Sequence, residues 1–385
     1  MQLHSQSGVT LSKDMGFDQE IVAVEAIPYE IPYSKPLAFA SGSISVADNV
    51  IVRIRTRDGI VGIAEAPPRP YTYGETQESI VAVINKLFAP AMVGHSLLDR
   101  EIIKTKLDRT VGNLTAKAAI DIALWDALGR ATSLPVHRLL GGFTDRLKVS
   151  HMIGFDEPAR MADEALALRE KYGINSFKIK VGRTPSHPDI AVCRAVREAL
   201  GEDAEIYIDG NRGWTAAESA HALRELKDVN LARAEELCPA DDVLSRRWLV
   251  SQSSIPFVAD ESAPTPADIT REVLSGAANA VSIKTARTGF SDSLRVSYLA
   301  EGLGIQAVIG NQIDAHIGTI CSLHFGASQR STSRYAAELS NYLDLSDSLL
   351  TEDLHISNGE MLLTDDPGLG IEIDPEKLDA YRTDK

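Results

Sequence analysis

The pattern of hydrophobic and polar residues changes once along the chain, near residue 142. Before that point, apolar runs predict strands at 21–28, 49–56 and 60–65, and helical spacing predicts helices at about 76–89, 99–107 and 114–132. The turn Arg57-Asp58-Gly59 joins the second and third strands in an antiparallel hairpin. Strands followed by helices are typical of a separate α+β module, which we place at 19–142.

After residue 142 the pattern alternates regularly between strand and helix. Eight parallel strands with helices between them close into a barrel whose chemistry lies at the C-terminal ends of the strands. We therefore predict an α/β fold: a modified TIM-like (β/α) barrel at 143–353, with an α+β capping domain built from the N-terminal region and the C-terminal tail. Residues 354–385 are expected to return to the capping domain, and the polar residues 1–18 to form a loose extension. The eight strand-like runs end near His151, Lys180, Asp209, Glu235, Asp260, Lys284, Gly310 and Glu338.

Two segments of the first module are predicted to be loops, at 33–42 and 66–74. The second contains Arg69 and Tyr73 among prolines and other aromatic residues. A stiff aromatic loop with one cation suits a lid that selects substrates, but an ordinary proline-rich surface loop has the same composition. The sequence leaves both interpretations open.

Composition is typical of a globular chain of roughly two domains, with 385 residues of which 44% are hydrophobic. The net charge of −15 argues against nucleic acid and anionic membranes as partners, but not against a small anionic substrate. Cys193, Cys238 and Cys321 are far apart and form no CxxC pair, which fits a reducing cytosol. Because the sequence has no signal-peptide core and no apolar run long enough to span a membrane, we expect a cytoplasmic protein.

Three acidic residues, Asp209, Glu235 and Asp260, end successive predicted barrel strands. Carboxylates that converge at one barrel mouth repel one another unless a cation joins them. Oxygen ligands without His or Cys favour Mg²⁺ or Mn²⁺. Each acid alone would read as a helix cap or a surface group, but three at successive strand ends, flanked by lysines, predict a metal site.

Two lysines, Lys180 and Lys284, end the second and sixth predicted strands and should face each other across the mouth. Lys178 points the same way as Lys180, because side chains alternate along a strand. A neighbouring Lys178 and a divalent ion would lower the pKa of a lysine base. Opposed lysines with a metal suit proton transfer at the carbon beside a carboxylate, with Lys178 stabilising the charge of the enediolate; solvated or ion-paired lysines are the alternative.

Three further residues are assigned to substrate binding: Glu338 at the end of strand eight, Asn311 after strand seven, and Tyr73 on the second loop. Glu338 could hydrogen-bond a substrate or orient a lysine, and a structural role is equally open. Asn211 and Glu261, next to the proposed ligands, are expected to support them. The sequence contains no P-loop, GxGxxG, HExxH or GxSxG motif.

Taken together, these motifs resemble the enolase superfamily, in its muconate-lactonizing subgroup. The resemblance is carried by Lys178-x-Lys180, Asp209-x-Asn211, Glu235, Asp260-Glu261-Ser262, Lys284, and the helix from Ala116 to Asp126 followed by Leu140-Gly141-Gly142. It implies that Asp209, Glu235 and Asp260 bind Mg²⁺, that Lys180 and Lys284 are an acid/base pair, and that Lys178 stabilises a carboxylate. Glu338 matches the acid that the family places near the substrate.

Within the subgroup, the loops at 35–42, 66–76 and 310–314 are most similar to muconate cycloisomerases that add anti across the double bond. Two positions depart from the subgroup. Leu237 stands where Pro follows the Glu pair, and Gly289-Phe290 replaces Gly-Gly, where a Phe would reshape the substrate cavity.

The resemblance implies a muconate cycloisomerase: Mg-dependent intramolecular lactonization of cis,cis-muconate to muconolactone through an enediolate, with Lys284 as the acid. The alternative is a racemase or epimerase of N-acylamino acids or betaines, although Glu338-Leu339-Ser340 lacks the Asp-x-Asp of dipeptide epimerases. A third hypothesis is an inactive barrel that serves as a binding module. We expect a small carboxylate as partner, a homo-oligomer, and no nucleic acid or membrane.

Overall fold

The computed structural model describes residues 19–39 and 42–385, without the side chain of Phe39. The predicted N-terminal extension at 1–18 and two residues of the first predicted loop, 40–41, lie outside the described residues. No helix in the described part of the chain is both long and apolar enough to cross a membrane.

The capping domain begins with an antiparallel sheet in the order β1 (Ile21–Pro28), β4 (Val50–Thr56) and β5 (Val61–Ala66). Its strands confirm the predicted meander to within a residue at each end, and the sheet packs against the long helix α4 (Leu114–Thr132). The elements are β1 Ile21–Pro28, β2 Ile31–Phe39, β3 Gly42–Ala47, β4 Val50–Thr56, β5 Val61–Ala66, α1 Gln77–Val83, α2 Ala89–Met92, α3 Arg100–Leu107, α4 Leu114–Thr132 and α5 Val136–Leu140.

One loop prediction for this domain was wrong. Residues 33–39 and 42 belong to strands, since β2 pairs antiparallel with β3 and the register shifts between Pro32 and Leu37. Pro36 inside the strand disguises the alternation of apolar residues. The helix predicted at about 76–89 is confirmed: α1 continues through a π-helical turn at Ile84–Phe88 into α2, which ends at Met92. Pro90 has no N–H for the regular helical ladder, and the helix widens just before it.

The second half of the chain forms the predicted (β/α) barrel. From Arg146 to Glu338, seven strands pair in parallel in chain order, and an eighth pairs in parallel with the first of them. The elements are β6 Arg146–Ile153, α6 Pro158–Tyr172, β7 Ser176–Lys180, α7 His187–Leu200, β8 Glu205–Asp209, α8 Ala216–Glu225, β9 Ala234–Glu235, α9 Val243–Gln252, β10 Phe257–Ala259, α10 Pro266–Ser275, β11 Ala280–Ile283, α11 Thr285–Leu303, β12 Gln306–Ile309, α12 His316–Ser328 and β13 Ala337–Glu338. The fold class is therefore an α/β barrel with an α+β cap, as predicted.

The C-terminal segment contacts both domains. It contains β14 Ile356–Ser357, β15 Glu360–Leu362 and α13 Pro375–Tyr381. Strand β15 pairs antiparallel with β6 of the barrel, and Thr383 N donates to Pro28 O of the cap. The buried Asp126 of α4 accepts from Leu369 N of the tail at 2.7 Å and from Ile63 N of β5 at 2.8 Å. Asp126 is thus one of the points that join the tail to the cap, because it accepts from one backbone N–H of each.

The joint between cap and barrel is made by α4 and a break in α11. Gly289 interrupts the helix with φ of 59°, and Asp121 of α4 accepts from Phe290 N at 2.7 Å and Ser291 N at 2.8 Å. Asp121 therefore caps the second half of α11 from the other domain. Phe290 is fully buried and stacks on Phe325 of α12. The expectation that it reshapes the substrate cavity was wrong, since its side chain packs into the barrel wall.

Candidate active site

The three acids predicted to bind a metal end three adjacent barrel strands. Asp209 ends β8 and lies opposite Glu235, which ends β9, while Asp260 directly follows β10. All three residues are buried, with at most 1% of their surface exposed. Parallel strands in register deliver their last side chains to the same edge, which is why acids far apart in sequence meet here.

Lys178 and Lys180 lie on the same face of β7 and contact the same carboxylate. The Lys178 Nζ donates to Asp209 Oδ2 at 3.1 Å and Glu235 Oε1 at 3.0 Å, and pairs with Glu338 Oε1 at 2.7 Å. The Lys180 Nζ donates to Asp209 Oδ2 at 2.7 Å and to Asn211 Oδ1 at 2.6 Å. The alternation of side chains along the strand explains why residues two apart share one acceptor.

Lys284 approaches the acids from the other side of the barrel. It follows β11, four strands from β7 in the eight-stranded barrel, and its Nζ donates to Asp260 Oδ2 at 2.6 Å. Lys180 and Lys284 both line the pocket at the barrel mouth. The strand order therefore places the two ammonium groups on opposite walls of one pocket.

The charges of this cluster shift its pKa values strongly. Burial alone would raise the pKa of Asp209, but Lys178 and Lys180 hold it well below its usual range. Burial is likewise outweighed at Asp260, where Lys284 and Arg287 lower the pKa. The pKa of Glu235 is raised instead, by burial first and then by repulsion from Asp209 despite Lys178. Glu235 is thus the acid in most need of a further positive charge.

The residues present fit a divalent metal ion. Asp209, Glu235 and Asp260 offer only carboxylate oxygens, the donor type that Mg²⁺ prefers. The buried Glu235 Oε2 has no hydrogen-bond partner among the described residues, so a cation would satisfy it. Within residues 19–39 and 42–385, no three His, Cys, Asp or Glu side chains are already clustered for a metal, because lysines separate these carboxylates. Metal binding would therefore take carboxylate oxygens over from the ammonium groups.

The pKa values of Lys178 and Lys284 are dominated by the carboxylates that these lysines contact. Burial lowers the pKa of Lys178, but Asp209, Glu235 and Glu338 outweigh it and raise the pKa well above the usual value. Burial also lowers the pKa of Lys284, and Asp260 again outweighs it. Nearby carboxylates dominate over nearby cations because they are in direct contact with the ammonium groups. The contacting carboxylates therefore stabilise the ammonium form of both lysines.

The three predicted substrate contacts all line the same pocket. Glu338 accepts from Lys178, from Tyr207 OH at 3.1 Å and from Asn311 N at 3.2 Å, so strands seven and eight are joined at their ends. Tyr73 reaches the pocket from the capping domain, and burial raises the pKa of its hydroxyl to about 12. The loop at 66–74 thus forms part of the pocket wall, which favours the lid interpretation over a plain surface loop.

The two adjacent glutamates at the end of strand four, Glu235 and Glu236, have different roles. Glu235 points into the acid cluster, whereas Glu236, with φ of 35°, turns away. Glu236 Oε2 accepts from Asp260 N at 2.8 Å and from Ser262 N and Oγ at 3.0 and 2.8 Å. It therefore fixes the backbone that carries Asp260. The substitution of the usual Pro by Leu237 leaves this arrangement intact.

Two residues of the site were missed in the sequence. Tyr207 precedes Asp209 by two positions on β8, so strand alternation alone could have placed it inside the barrel, where it contacts Ser150 and Glu338. Arg287 follows Lys284 by nearly one helical turn and contacts Asp260 Oδ1 at 2.5 Å. Its position on a helix after the strand end gave no comparable periodic signal.

The fold and the site together define the class of protein. Carboxylates on barrel strands three, four and five, lysines on strands two and six, and an α+β cap are the arrangement of the enolase superfamily. The chain belongs to the mandelate racemase/muconate lactonizing enzyme family: residues 22–141 match the N-terminal domain of that family, and residues 160–377 match the enolase C-terminal domain-like model.

Three relatives illustrate how this family divides by reaction. The chain is 62% identical to muconate lactonizing enzyme from Mycobacterium smegmatis, solved with muconolactone, over 95% of this chain and 100% of that one, with a TM-score of 0.94. It is 30% identical to a dipeptide epimerase from Enterococcus faecalis, solved with Mg and a dipeptide, over 92% and 99%, with a TM-score of 0.87. It is also 31% identical to N-succinyl-L-Arg/Lys racemase from Bacillus cereus, over 93% and 97%.

Proposed function

We propose that this chain is a muconate cycloisomerase that closes cis,cis-muconate to muconolactone with Mg²⁺. The observation that carries the proposal is a pocket with Lys180 and Lys284 on opposite walls and Asp260 in its lining, while the buried Asp209 and Glu235 contact the lining lysines Lys180 and Lys178. The similarity to the M. smegmatis enzyme, which was solved with muconolactone, supports this substrate over others that need the same proton transfer.

The carboxylates would hold the metal and leave the lysines for the chemistry. Asp209, Glu235 and Asp260 would bind Mg²⁺, which when bound supplies a Lewis acid for one substrate carboxylate. The other substrate carboxylate would add an oxygen to the double bond that is conjugated with the first carboxylate, at the carbon two bonds from that carboxylate. A C–O bond then closes a five-membered ring as the π bond breaks, and its electron pair moves toward the first carboxylate. Lys178 lies between two of the acids and Glu338, where its charge stabilises the anion that develops.

The final step is protonation of the carbon beside the first carboxylate. Nothing leaves the substrate, and one proton is added, so the step needs a protonated group on one face of that carbon. Lys284 lines the pocket on the wall opposite Lys180, so its ammonium group can approach one face of that carbon. The likeness to anti-adding enzymes also favours Lys284 as the acid, with Lys180 on the opposite face.

A direct test is to incubate the protein with cis,cis-muconate and Mg²⁺ in D₂O and analyse the product by NMR. We expect muconolactone with deuterium added anti, and a loss of this signal in Lys284→Ala. Syn deuterium would transfer the acid role to Lys180. No lactone from the wild-type protein would contradict the proposed reaction.

The second candidate is a racemase or epimerase of N-acylamino acids or betaines. It is favoured by the likeness to N-succinyl-L-Arg/Lys racemase and by the two opposed lysines, which a two-sided proton exchange requires. Exchange of the α-proton of an N-succinylamino acid into D₂O, at a rate exceeding lactone formation from muconate, would establish it. Absence of exchange with active lactonization would exclude it.

A further inference from the structure

Arg287 connects the metal end of the pocket with the capping domain. It lies on α11, is only 3% exposed, and its Nη1 donates both to Asp260 Oδ1 at 2.5 Å and to the hydroxyl of Tyr73. Its Nη2 donates to Ser282 O at 2.9 Å on β11. The guanidinium is therefore held by the barrel backbone through Nη2, while Nη1 donates to the Asp260 carboxylate and to Tyr73 of the loop at 66–74.

The loop at 66–74, named here the lid loop, contacts the barrel near its two ends: Tyr73 meets Arg287, and Pro67 O accepts from Gln312 Nε2 at 3.1 Å. A turn closes on Arg69 O, which accepts from Thr72 N at 3.1 Å, Tyr73 N at 2.8 Å and Gly74 N at 3.2 Å. From this turn Tyr73 points inward to Arg287, whereas Tyr71 is 80% exposed. The two tyrosines of one loop thus provide a contact and its matched control.

We propose that Arg287 is a positioning residue that ties the order of the lid loop to the carboxylate of Asp260. The charged acceptor at Asp260 fixes the direction of Nη1, and a fixed Nη1 gives the Tyr73 hydroxyl its donor. Hydrogen bonds to charged groups are stronger than neutral ones, so the contact of Arg287 with the Asp260 carboxylate is expected to be stronger than its contact with the Tyr73 hydroxyl. The inference rests on the proposed function only in calling Asp260 a metal ligand.

The other acids of the cluster lack this connection. Asp209 is equally buried, but its Oδ2 is held by Lys178 and Lys180 on the far side of the mouth. A change at Asp260 is therefore expected to reach the lid loop, and the same change at Asp209 is not. The consequence for function is that events at the metal end and closure over the substrate influence each other, as linkage between two sites requires.

The experiment is amide hydrogen exchange of residues 72–74 in protein free of metal and substrate. These amides make the turn hydrogen bonds, so their exchange reports how often the turn opens. We expect about tenfold faster exchange in Tyr73→Phe and in Asp260→Asn, the factor that one lost hydrogen bond to a charged group implies. Tyr71→Phe and Asp209→Asn, the matched controls, are expected to leave these amides unchanged.

A double variant distinguishes loss of the Arg287–Tyr73 contact from a general destabilisation of the lid loop. Arg287→Lys keeps the positive charge beside Asp260 but loses the two-nitrogen guanidinium group. It should speed amide exchange of residues 72–74 as much as Tyr73→Phe does. If the two act through one contact, the double variant exchanges no faster than either single one. This comparison also decides the matter if Asp260→Asn does not fold, which a thermal melt would reveal.

Three results would overturn the inference: unchanged lid exchange in a folded Asp260→Asn, an equal effect of Asp209→Asn, or additive effects of the Arg287 and Tyr73 substitutions. None of them depends on activity. Failure of the proposed reaction would appear separately, as no lactone from wild-type protein supplied with Mg²⁺.

Discussion

Replacement of Glu65 by Gln tests how the cap is held on the barrel. Glu65 lies in β5, just before the lid loop, and is 2% exposed. Its Oε1 accepts from Asn49 Nδ2 at 3.0 Å and from Ala315 N, at the start of α12, at 2.7 Å, and its Oε2 accepts from Tyr29 OH at 3.2 Å. A Gln keeps the oxygen for the first two donors and turns its amide toward the tyrosine oxygen. It therefore mimics the protonated acid.

The magnitude follows from the pKa of this buried carboxyl group. Burial, and then repulsion from Asp314, raises the pKa of Glu65 from 4.5 to about 7. Between these values the folded state binds a proton that the unfolded state does not, so the free energy of unfolding falls as pH rises. The stabilisation is complete below pH 4.5 and lost above pH 7. Between about pH 5 and about pH 8 the loss amounts to about 2.5 kcal/mol, at 1.36 kcal/mol per pKa unit.

The assay is urea unfolding of wild type and Glu65→Gln across this pH range. Every other titrating group is present in both proteins, so the difference between their unfolding free energies isolates residue 65. We expect the variant to gain about 2.5 kcal/mol on the wild type from pH 5 to pH 8. Parallel curves would refute the reasoning, because they would mean that Glu65 titrates alike in the folded and unfolded chains.

Three further predictions concern the joint, the acid and the metal. Gly289→Ala should lower the free energy of unfolding by roughly 2–4 kcal/mol, since φ is 59° and the new Cβ would lie 2.6 Å from Asp121 Oδ2. Gly302→Ala is the control on the same helix: nothing lies within 4 Å of its new Cβ, so urea unfolding should show a neutral or stabilising effect. Lys284→Ala should reduce kcat for lactone formation by roughly 10²–10⁴-fold, and a loss below tenfold would deny Lys284 the acid role. Dialysis against a chelator should abolish lactone formation and Mg²⁺ restore it, with a Tm that rises with Mg²⁺ concentration; full activity without any divalent ion would contradict the metal site.

The barrel and the acids could be predicted from the sequence because strand ends repeat at a regular interval. Asp209, Glu235 and Lys180 end their strands, and Asp260 and Lys284 follow theirs directly. The regular spacing of the strand ends thus predicted both the barrel and the cluster of acids and lysines at its mouth. Side-chain alternation also placed Lys178 beside Lys180 on Asp209.

Other features depend on contacts that no local pattern encodes. The β2–β3 hairpin was hidden by Pro36, which breaks the apolar alternation, although the register resumes at Leu37. Phe290 lies next to the site in sequence but turns into the wall, because Gly289 and Asp121 redirect the helix. The raised pKa of Lys284 likewise depends on how close Asp260 comes, which spacing alone does not give.

The most direct test of the central claim is a crystal structure with Mn²⁺ and muconolactone, read from the anomalous signal. The account predicts one peak bound by Asp209, Glu235 and Asp260, with Lys180 and Lys284 on opposite faces of the carbon beside the lactone's free carboxylate. A peak bound elsewhere, or both lysines on one face of that carbon, would contradict it.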